Sequence, residues 1–313
     1  MALISVYVFL FGGIWSCMAQ KDSLQNPYFK TYDDKAITSL YYLDNSNNFN
    51  FVFPYQGERK ALNLIPNRRE QIGASLSYKF LDISYGFSPQ FFDTNKDNGK
   101  SKLFSLSTTL FHKKWMQTIT FINQKGFYVS EENVELLFPN LRSTKIGGTT
   151  SYICNKNFSF KTITNQKEWQ TKSSGSFIPS FSFYYTNIDL NASNGAAQSD
   201  ILVFTLAPSY FYNLVINNHF LLSSGVSAGA GINDVDGDVS ALYEFTASFK
   251  LGYNTDSLFA FAYMNSSNFI QDNTSKIQMG DSISTVKFTL GYRFNPPTKA
   301  KEFYDKASQK FGL

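Results

Sequence analysis

The sequence contains little charge, and its main part has no long apolar segment. Charged residues make up 17% of its 313 residues, against about 25% in ordinary soluble domains. The formal net charge of +4 is small and dispersed, which argues against a nucleic-acid-binding surface. After residue 20 no stretch approaches the ~18 consecutive apolar residues of a transmembrane helix, so helical membrane spans are excluded.

Cysteine is nearly absent, which excludes a disulfide-stabilised scaffold. Cys17 lies in an N-terminal apolar stretch, and Cys154 has no histidine or second cysteine nearby at metal-ligand spacing. A lone cysteine cannot form an internal disulfide framework. Aromatic residues are abundant instead, with 32 Phe and 19 Tyr. They favour half-buried pleated surfaces and occur on the outside of membrane barrels, so the composition favours β structure.

The N-terminus has the pattern of an export signal. Residues 2–16 are apolar or small and uncharged, and Cys17-Met18-Ala19 offers small residues before Gln20. This pattern predicts a signal peptide at residues 1–19, although the n-region lacks a lysine or arginine. Two alternatives stay open, which are a buried strand or membrane anchor in this stretch and a lipoprotein modified at Cys17.

Apolar and polar residues alternate with a period of two along several segments. In residues 239–252 the apolar face contains Val239, Ala241, Tyr243, Phe245, Ala247, Phe249 and Leu251. A helix would spread these residues around its circumference, whereas a strand places them on one side. The same alternation occurs at residues 71–80 and 285–294. All three segments are therefore predicted strands.

The strand pattern predicts an all-β fold, an antiparallel transmembrane β-barrel of about 12 strands, with 10 to 14 possible. Many runs contain ten residues or more, near the ~9–11 that cross a bilayer when tilted. The less regular runs lie near residues 81–88, 101–111, 115–129, 142–153, 157–165, 175–187, 200–213, 218–230 and 256–266.

The predicted organisation has three parts after the signal peptide. They are a lead-in segment at 20–58 with a strand near 49–53, a barrel at 59–294, and a periplasmic tail at 295–313 with a short helix. Short links alternate with long polar ones at 88–100, 130–141 and 267–282, as expected of outer-membrane barrels. Counting the short links from each end gives conflicting assignments between residues 154 and 199, so either a strand is missing there or one turn is misassigned.

Residues 157–178 contain a recognisable set of short motifs, which are Phe158-Ser159-Phe160, Gln170 and Lys172-Ser173-Ser174-Gly175-Ser176. With Ser174 in place of the usual Ala, this set resembles the signature of a Bacteroidota outer-membrane β-barrel family catalogued as domain of unknown function 4421. Two weaker matches are Pro66-Asn67 with the strand that follows, and Lys125-Gly126-Phe127-Tyr128. The resemblance covers most of the mature chain. It implies a barrel in the outer membrane and implies no activity.

Few residues have the types and spacing that catalysis or metal binding needs. His112 lies beside two lysines in a predicted turn, and His219 lacks a serine at the two-residue spacing that shares a strand face. The alternating Asp234, Asp236 and Asp238 surround a glycine that is out of register with a calcium loop. A solvated hairpin turn is the preferred interpretation. We therefore expect no catalytic residue, no metal and no cofactor.

The barrel interior is the remaining place for function. Charge on the lipid face of a barrel is costly. If the apolar faces point to lipid, the charged residues that alternate with them point inward. These residues are Glu244, Lys250, Lys287 and Arg293, with Lys79 as a further candidate. These side chains would line a lumen or fill it by pairing. Filling by pairing is the preferred interpretation for any single one of them. The first candidate function is a narrow channel or transporter for small solutes, and the sequence does not decide between it and a scaffold. The alternatives are a non-conducting envelope scaffold or assembly protein, an outer-membrane lipid hydrolase, and a soluble β-sandwich.

The partners follow from this interpretation. The sequence predicts contact with membrane lipid, lipopolysaccharide and the barrel-assembly machinery, and with a small solute if the lumen is open. It predicts no nucleic acid partner.

Overall fold

The computed structural model describes a chain of strands. It covers residues 26–55, 57–66, 70–79, 81–89, 91–92, 102–131, 134–164, 166–189, 198–272, 278–299, 301–302, 304 and 306. The predicted signal peptide lies outside the described residues. Among the described residues, no helix has the length and apolar character that a membrane span requires.

Strands dominate the described chain because alternating side chains can divide between an inner and an outer face. One short helix, α1 (Lys161–Thr164), interrupts them in the described residues. The strands are β1 (Phe29–Thr31), β2 (Ala36–Tyr55), β3 (Glu58–Pro66), β4 (Glu70–Tyr78), β5 (Leu81–Phe87), β6 (Lys102–His112), β7 (Trp115–Glu131), β8 (Val134–Tyr152), β9 (Glu168–Gln170), β10 (Ser174–Asp189), β11 (Gln198–Val215), β12 (Phe220–Val235), β13 (Asp238–Asn254), β14 (Leu258–Gln271) and β15 (Gln278–Phe294).

The large sheet closes on itself. Strands β7, β8 and β10 to β15 are hydrogen-bonded neighbours in this order. The last of them, β15, pairs with β2, and β2 pairs with β3. Strand β3 completes the ring because its Ile65 and Pro66 pair with β7. Ten antiparallel strands therefore form a closed barrel. This confirms the predicted all-β antiparallel barrel, with a size close to the predicted twelve strands. We call the end where β2 begins and β15 ends the lower end of the barrel.

Three further strands widen the wall at the lower end. Strand β2 pairs with β3 at residues 49–55 and with β4 at residues 37–44, so that β4 lies below β3 on the same edge. Strand β5 extends β4, and β6 extends β7. Within the residues described, no ladder joins β5 to β6. We call the space between these two strand edges the β5–β6 seam.

The outward face of the wall is apolar. Phe245, Phe249 and Phe288 point outward and are 50%, 44% and 52% exposed, so no second protein layer covers them. On β11 the outward Phe204, Leu206 and Tyr210 are also exposed, while the inward Thr205, Ala207 and Ser209 are buried. A soluble two-layer sandwich would instead bury such side chains between its sheets.

One predicted strand is wrong. The run near residues 157–165 does not join the barrel, and its middle forms α1. Phe158 and Ile163 pack with Ile178 in a cluster of buried residues, so their apolar side chains face a protein core rather than lipid. Removing this run from the strand count resolves the conflict between residues 154 and 199, because the chain leaves and re-enters the wall at the same end.

The barrel begins earlier than the boundary predicted at residue 59. Strand β2 pairs along its length with β15, from Ala36 to Val52. Its middle is a polar run, Asp44-Asn45-Ser46-Asn47-Asn48, in which alternation cannot be recognised. The predicted long loops at 130–141 and 267–282 are also partly strand, because β7, β8, β14 and β15 extend into them.

The C-terminal tail packs against the lower rim. Helical geometry occurs at the described tail positions 298, 299, 301, 302, 304 and 306, in line with the predicted short helix. The ring of Tyr304 lies edge-on to Tyr78 with centroids 5.9 Å apart. The Nζ of Lys79 lies 5.7 Å from the same Tyr304 ring, so Lys79 belongs to the turn after β4 rather than to the inner wall.

Candidate functional site

A folded segment lies inside the lower end of the barrel. We call residues 153–173, which connect β8 to β10, the plug. Its strand β9 pairs with β1 near the N-terminus, with Phe29 opposite Gln170 and Thr31 opposite Glu168. In the plug, Trp169 packs with Tyr32 and with the inward Leu221 of β12. The plug and the N-terminal segment therefore occupy the lower interior together.

The side chain of Gln170 connects three parts of the molecule. Its Oε1 accepts hydrogen bonds from the backbone N–H of Ser159 at 2.9 Å and from Nδ2 of Asn213 on β11 at 3.1 Å. Its Nε2 contacts the carbonyl oxygens of Tyr28, Asn157 and Lys172 at 3.1, 2.7 and 3.0 Å. Gln170 is fully buried. It thus links the N-terminal segment, the plug and the barrel wall.

A buried carboxylate organises the start of α1. Ser159 Oγ donates to Glu168 Oε2 at 2.6 Å, and Lys161 Nζ lies 2.8 Å from Glu168 Oε1. The Ser159 hydroxyl also accepts the backbone N–H of Thr162 at 3.2 Å, as a helix-capping serine does. The plug therefore pairs the Glu168 carboxylate with its own Ser159 and Lys161.

Lys250 of β13 holds the end of α1. Its Nζ donates to the carbonyl oxygens of Thr162 at 2.6 Å and Ile163 at 3.0 Å, and lies 4.0 Å from the ring centroid of Phe261. The Lys250 side chain is fully buried. A cation close to the last carbonyl groups of a helical turn is favourable. Lys250 is thus a contact between wall and plug.

Arg293 of β15 holds the other side of the plug. Its guanidinium donates to the carbonyl oxygen of Gln166 at 3.0 Å and to Oδ1 of Asn254 at 2.7 Å. It stacks on Tyr32, with 3.9 Å between the guanidinium carbon and the ring centroid. Arg293 is 2% exposed. Like Lys250, it is occupied by plug contacts.

The other two sequence-predicted residues are not plug contacts. Glu244 is buried on the inner face of β13 and accepts a hydrogen bond from the Thr205 hydroxyl. Lys287 is partly exposed on the inner face of β15, with its Nζ 4.9 Å from the ring centroid of Tyr41. All four residues therefore face the interior. Their role in lining an open lumen stays a prediction.

The upper interior is filled by apolar side chains. The cluster of buried residues there combines Phe49, Leu64, Phe127, Val129, Leu141, Ile188, Ile201, Val203, Leu242 and Phe269. These residues come from eight of the ring strands, so the cluster crosses the barrel. An ion pair between the buried Lys145 and the partly buried Asp281 adjoins it, with Lys145 Nζ 5.7 Å from the centroid of the Phe49 ring.

At the lower rim, an ion pair joins the N-terminal segment to the β13–β14 turn. Lys30 Nζ donates to Asp256 Oδ1 at 2.6 Å. This hydrogen bond raises the pKa of Lys30 and holds the pKa of Asp256 below its ordinary value. Both side chains are more than half exposed, so water screens the pair.

The residues weighed for catalysis or metal binding do not converge. His219 Nδ1 contacts the carbonyl oxygen of Asn254 at 2.9 Å, while Ser223 Oγ donates to Asn213. Asp234 accepts the N–H of Gly237 and supports the hairpin turn, whereas Asp236 accepts the N–H of Asp200 and joins the turn to β11. In the described part of the chain, no group of three or more metal-ligating side chains converges.

Sequence reasoning missed the plug contacts. Gln170 stands out only through the family resemblance, and no sequence pattern singles out Lys145. The signal that remained was the irregular alternation of residues 157–165 combined with the conflicting turn count. Neither signal could show that the segment folds inward.

Solved structures of outer-membrane proteins are similar to this chain at low identity. A bacterial polysaccharide outer membrane secretin has 10% identity and a TM-score of 0.32, and the match covers 84% of this chain and 99% of that one. The COG4313 outer membrane channel from Pseudomonas putida F1 has 9% identity, coverages of 86% and 98%, and a TM-score of 0.32. A Pseudomonas aeruginosa FadL homologue has 9% identity, coverages of 84% and 90%, and a TM-score of 0.23.

The sequence comparison identifies the family. No curated protein matches the chain. A family model described as domain of unknown function DUF4421 matches residues 20–294, which include the barrel and the plug. The resemblance inferred from residues 157–178 is therefore confirmed, and the chain belongs to the DUF4421 family.

Proposed function

We propose that the chain is an integral outer-membrane barrel that is closed to passive diffusion at rest. The membrane assignment rests on the closed sheet and on the exposed outward Phe245, Phe249 and Phe288. A closed antiparallel sheet satisfies its backbone hydrogen bonds internally, which hydrocarbon requires. Lipid and lipopolysaccharide along this outward face, and the barrel-assembly machinery, are its proposed partners.

The plug is the observation that carries the closed state. It fills the lower interior and is held by Gln170, Lys250 and Arg293, all of which are buried. The apolar cluster around Phe49 and Phe127 occupies the upper interior. A barrel of this size can be filled by its own side chains. We therefore favour a non-enzymatic, non-conducting envelope protein over a diffusion pore.

Conductance in a planar bilayer tests this proposal. The detergent-folded wild-type protein, shown to be folded by a heat-modifiable shift in gel mobility, should give no stepwise conductance. Steady steps from the wild-type protein would overturn the closed state. A protein that leaves the membrane in high salt without detergent would overturn the membrane assignment.

A gated channel is the second candidate, and the chemistry of the plug contacts favours it. Lys250 and Arg293 reach the plug through hydrogen bonds to backbone carbonyl groups, which can be exchanged for water. The double variant Lys250→Met with Arg293→Met removes both contacts. The matched control is Lys172→Met, which changes an exposed lysine. Conductance in the double variant alone identifies a gate, and silence in both variants favours a scaffold.

A further inference from the structure

The wall beside the β5–β6 seam has small hydroxyl side chains on its inner face. Ser39, Ser75 and Ser84 are register partners on β2, β4 and β5, and the first two hydroxyls are 2.7 Å apart. Facing hydroxyl pairs continue on β6 to β8 and β10, at Thr109–Thr118, Thr149–Ser182 and Ser151–Ser180. Small side chains leave space in a barrel. We call the space bounded by Ser39, Ser75, Ser84, Ser107 and Lys287 the mid-barrel chamber.

Solvent reaches this chamber through the seam. Ser84 and Ser107 are on the inner faces of β5 and β6, yet both are exposed. Ser107 is opposite Thr120, which is also on the inner face of β7 and partly exposed. Inner residues on the opposite wall, such as Thr205 and Ser209 of β11, are buried. The chamber is thus hydrated from the side, while the plug and the apolar cluster close it below and above.

Lys287 brings an unbalanced positive charge to the chamber. Its Nζ lies 4.9 Å from the Tyr41 ring centroid, and no carboxylate of the described residues forms an ion pair with it. The other interior cations are occupied, since Lys145 pairs with Asp281 and Lys250 donates to α1. Tyr263 is the register partner of both Lys250 and Lys287, which places their backbones roughly 10 Å apart. The Lys250 ammonium group therefore adds to the positive potential around Lys287.

Thr289 provides a second, independent observation. It lies two residues after Lys287 on the same inner face of β15, is 7% exposed, and is the register partner of Tyr41. Its Oγ1 has no hydrogen-bond partner among the described residues. A buried hydroxyl without a partner costs about 1–3 kcal/mol. A ligand with acceptor oxygens at this position would satisfy both the hydroxyl and the Lys287 ammonium group.

Two glycines line the wall between the seam and Lys287. The Tyr41 ring lies over the paired glycines Gly73 and Gly86, where any Cβ would come within 2.4 Å and 2.8 Å of it. A side chain at either glycine would displace the Tyr41 ring from its contact with the Lys287 ammonium group. The two glycines thus keep the inner face of β4 and β5 thin between the seam and Lys287.

We propose that the mid-barrel chamber binds a phosphate group, with Lys287 as its ion-pair partner and Thr289 as a hydrogen-bond donor. Phosphate has several acceptor oxygens, which suits one ammonium group surrounded by hydroxyls. The group has two possible sources, a free solute entering through the seam or the headgroup of a membrane lipid beside it. The site does not depend on whether the barrel conducts.

Binding to detergent-folded protein tests the site. Calorimetric titration is performed with inorganic phosphate in a detergent without phosphate, against chloride at constant ionic strength. A second titration uses short-chain, water-soluble phosphatidylglycerol. The tighter-binding probe identifies the source. Saturable binding of either probe is expected for the wild-type protein, and absence of binding by both would overturn the proposal.

Variants separate the site from non-specific charge attraction. Lys287→Gln should weaken binding at least about tenfold, Lys287→Arg should retain it, and the matched control Lys172→Gln should leave it unchanged. Thr289→Val should weaken binding several-fold without lowering the melting temperature of the ligand-free protein, because the hydroxyl makes no protein hydrogen bond. Thr289→Val also keeps the test decisive if Lys287→Gln fails to fold. Unchanged binding in Thr289→Val and in a folded Lys287 variant would overturn the assignment.

Discussion

The lower and upper halves of the barrel interior are filled by different chemistry. The lower half holds a plug that combines the apolar packing of Phe158, Ile163 and Trp169 with a set of buried hydrogen bonds. These hydrogen bonds are centred on Gln170, Lys250 and Arg293. The upper half is closed by apolar side chains such as Phe49 and Phe127. Apolar packing is non-directional, whereas each hydrogen bond of the plug depends on one donor and one acceptor. The upper half is therefore suited to permanent closure, and the lower half to a closure that can be released.

The largest expected effect is on the upper half. Phe127→Ala removes a fully buried ring beside Phe49 and leaves a cavity, which should lower the free energy of unfolding by about 4 kcal/mol. Unfolding in urea, followed by the loss of heat-modifiable mobility, measures the change. The control Phe245→Ala removes an outward-facing ring and makes no cavity. Equal losses in the two variants would contradict an apolar core inside the upper barrel.

The next effect concerns the lower half. Gln170→Leu leaves buried groups of the plug, the N-terminal segment and Asn213 without partners, which should cost about 3 kcal/mol. The same urea experiment measures it. Gln124→Leu is a matched control, because Gln124 is buried and its hydrogen bonds within the described residues go to nearby carbonyl groups at 3.3 and 3.4 Å. If Gln124→Leu destabilises the protein as much, Gln170 has no special role in holding the plug.

A smaller effect tests the fit between plug and wall. Gly252→Ala on β13 would place a Cβ 3.2 Å from the Trp169 ring, and this overpacking should cost about 1–2 kcal/mol. Trp169 is buried, so its fluorescence emission should also shift when the plug moves. Gly280→Ala is the control, since its Cβ would meet its nearest atom at an ordinary 3.5 Å. Unchanged Trp emission in Gly252→Ala would show that the plug does not press on β13.

The sequence predicts the wall better than its filling. In residues 239–252 the alternation predicts that one face of a strand points outward. Strand β13 has this orientation, because its outward residues Tyr243, Phe245 and Phe249 are exposed. Residues 157–165 also contain alternating aromatic residues, but Phe158 and Ile163 face a protein core. Local pattern cannot distinguish lipid from the inside of a barrel, because both are apolar. The signal that this segment is not a strand was the conflict that arises when short links are counted from the two ends of the chain.

The interior charges show the same division. Alternation predicts an inward direction for Lys250 and Arg293, and both are buried inside the barrel. Their partners are the carbonyl oxygens of Thr162 and Gln166, more than 80 residues away in the chain. Any residue offers a carbonyl oxygen, so no side-chain pattern could indicate this contact. The inward direction of these side chains could therefore be predicted from the sequence. Their partners in the candidate site could be identified only from the fold.

The smallest expected effect is at the lower rim, where Lys30 and Asp256 join the N-terminal segment to the wall. The hydrogen bond from Lys30 lowers the pKa of Asp256, so the pair contributes stability above the ordinary carboxyl pKa near 4 and loses it as the pH falls through the lowered value. Lys30, with its raised pKa, contributes up to about pH 10 and loses its contribution as the pH rises further.

Between these limits Asp256→Asn should destabilise the protein by about 0.3 kcal/mol, because both side chains are more than half exposed. Urea unfolding at neutral pH and at about pH 3 measures the difference. The loss at neutral pH should shrink in acid, whereas Asp34→Asn, whose carboxylate lies 3.9 Å from Lys35, should show less dependence on pH. A loss as large as that of Gln170→Leu would mean that the rim ion pair, rather than the buried hydrogen bonds, holds the lower half closed.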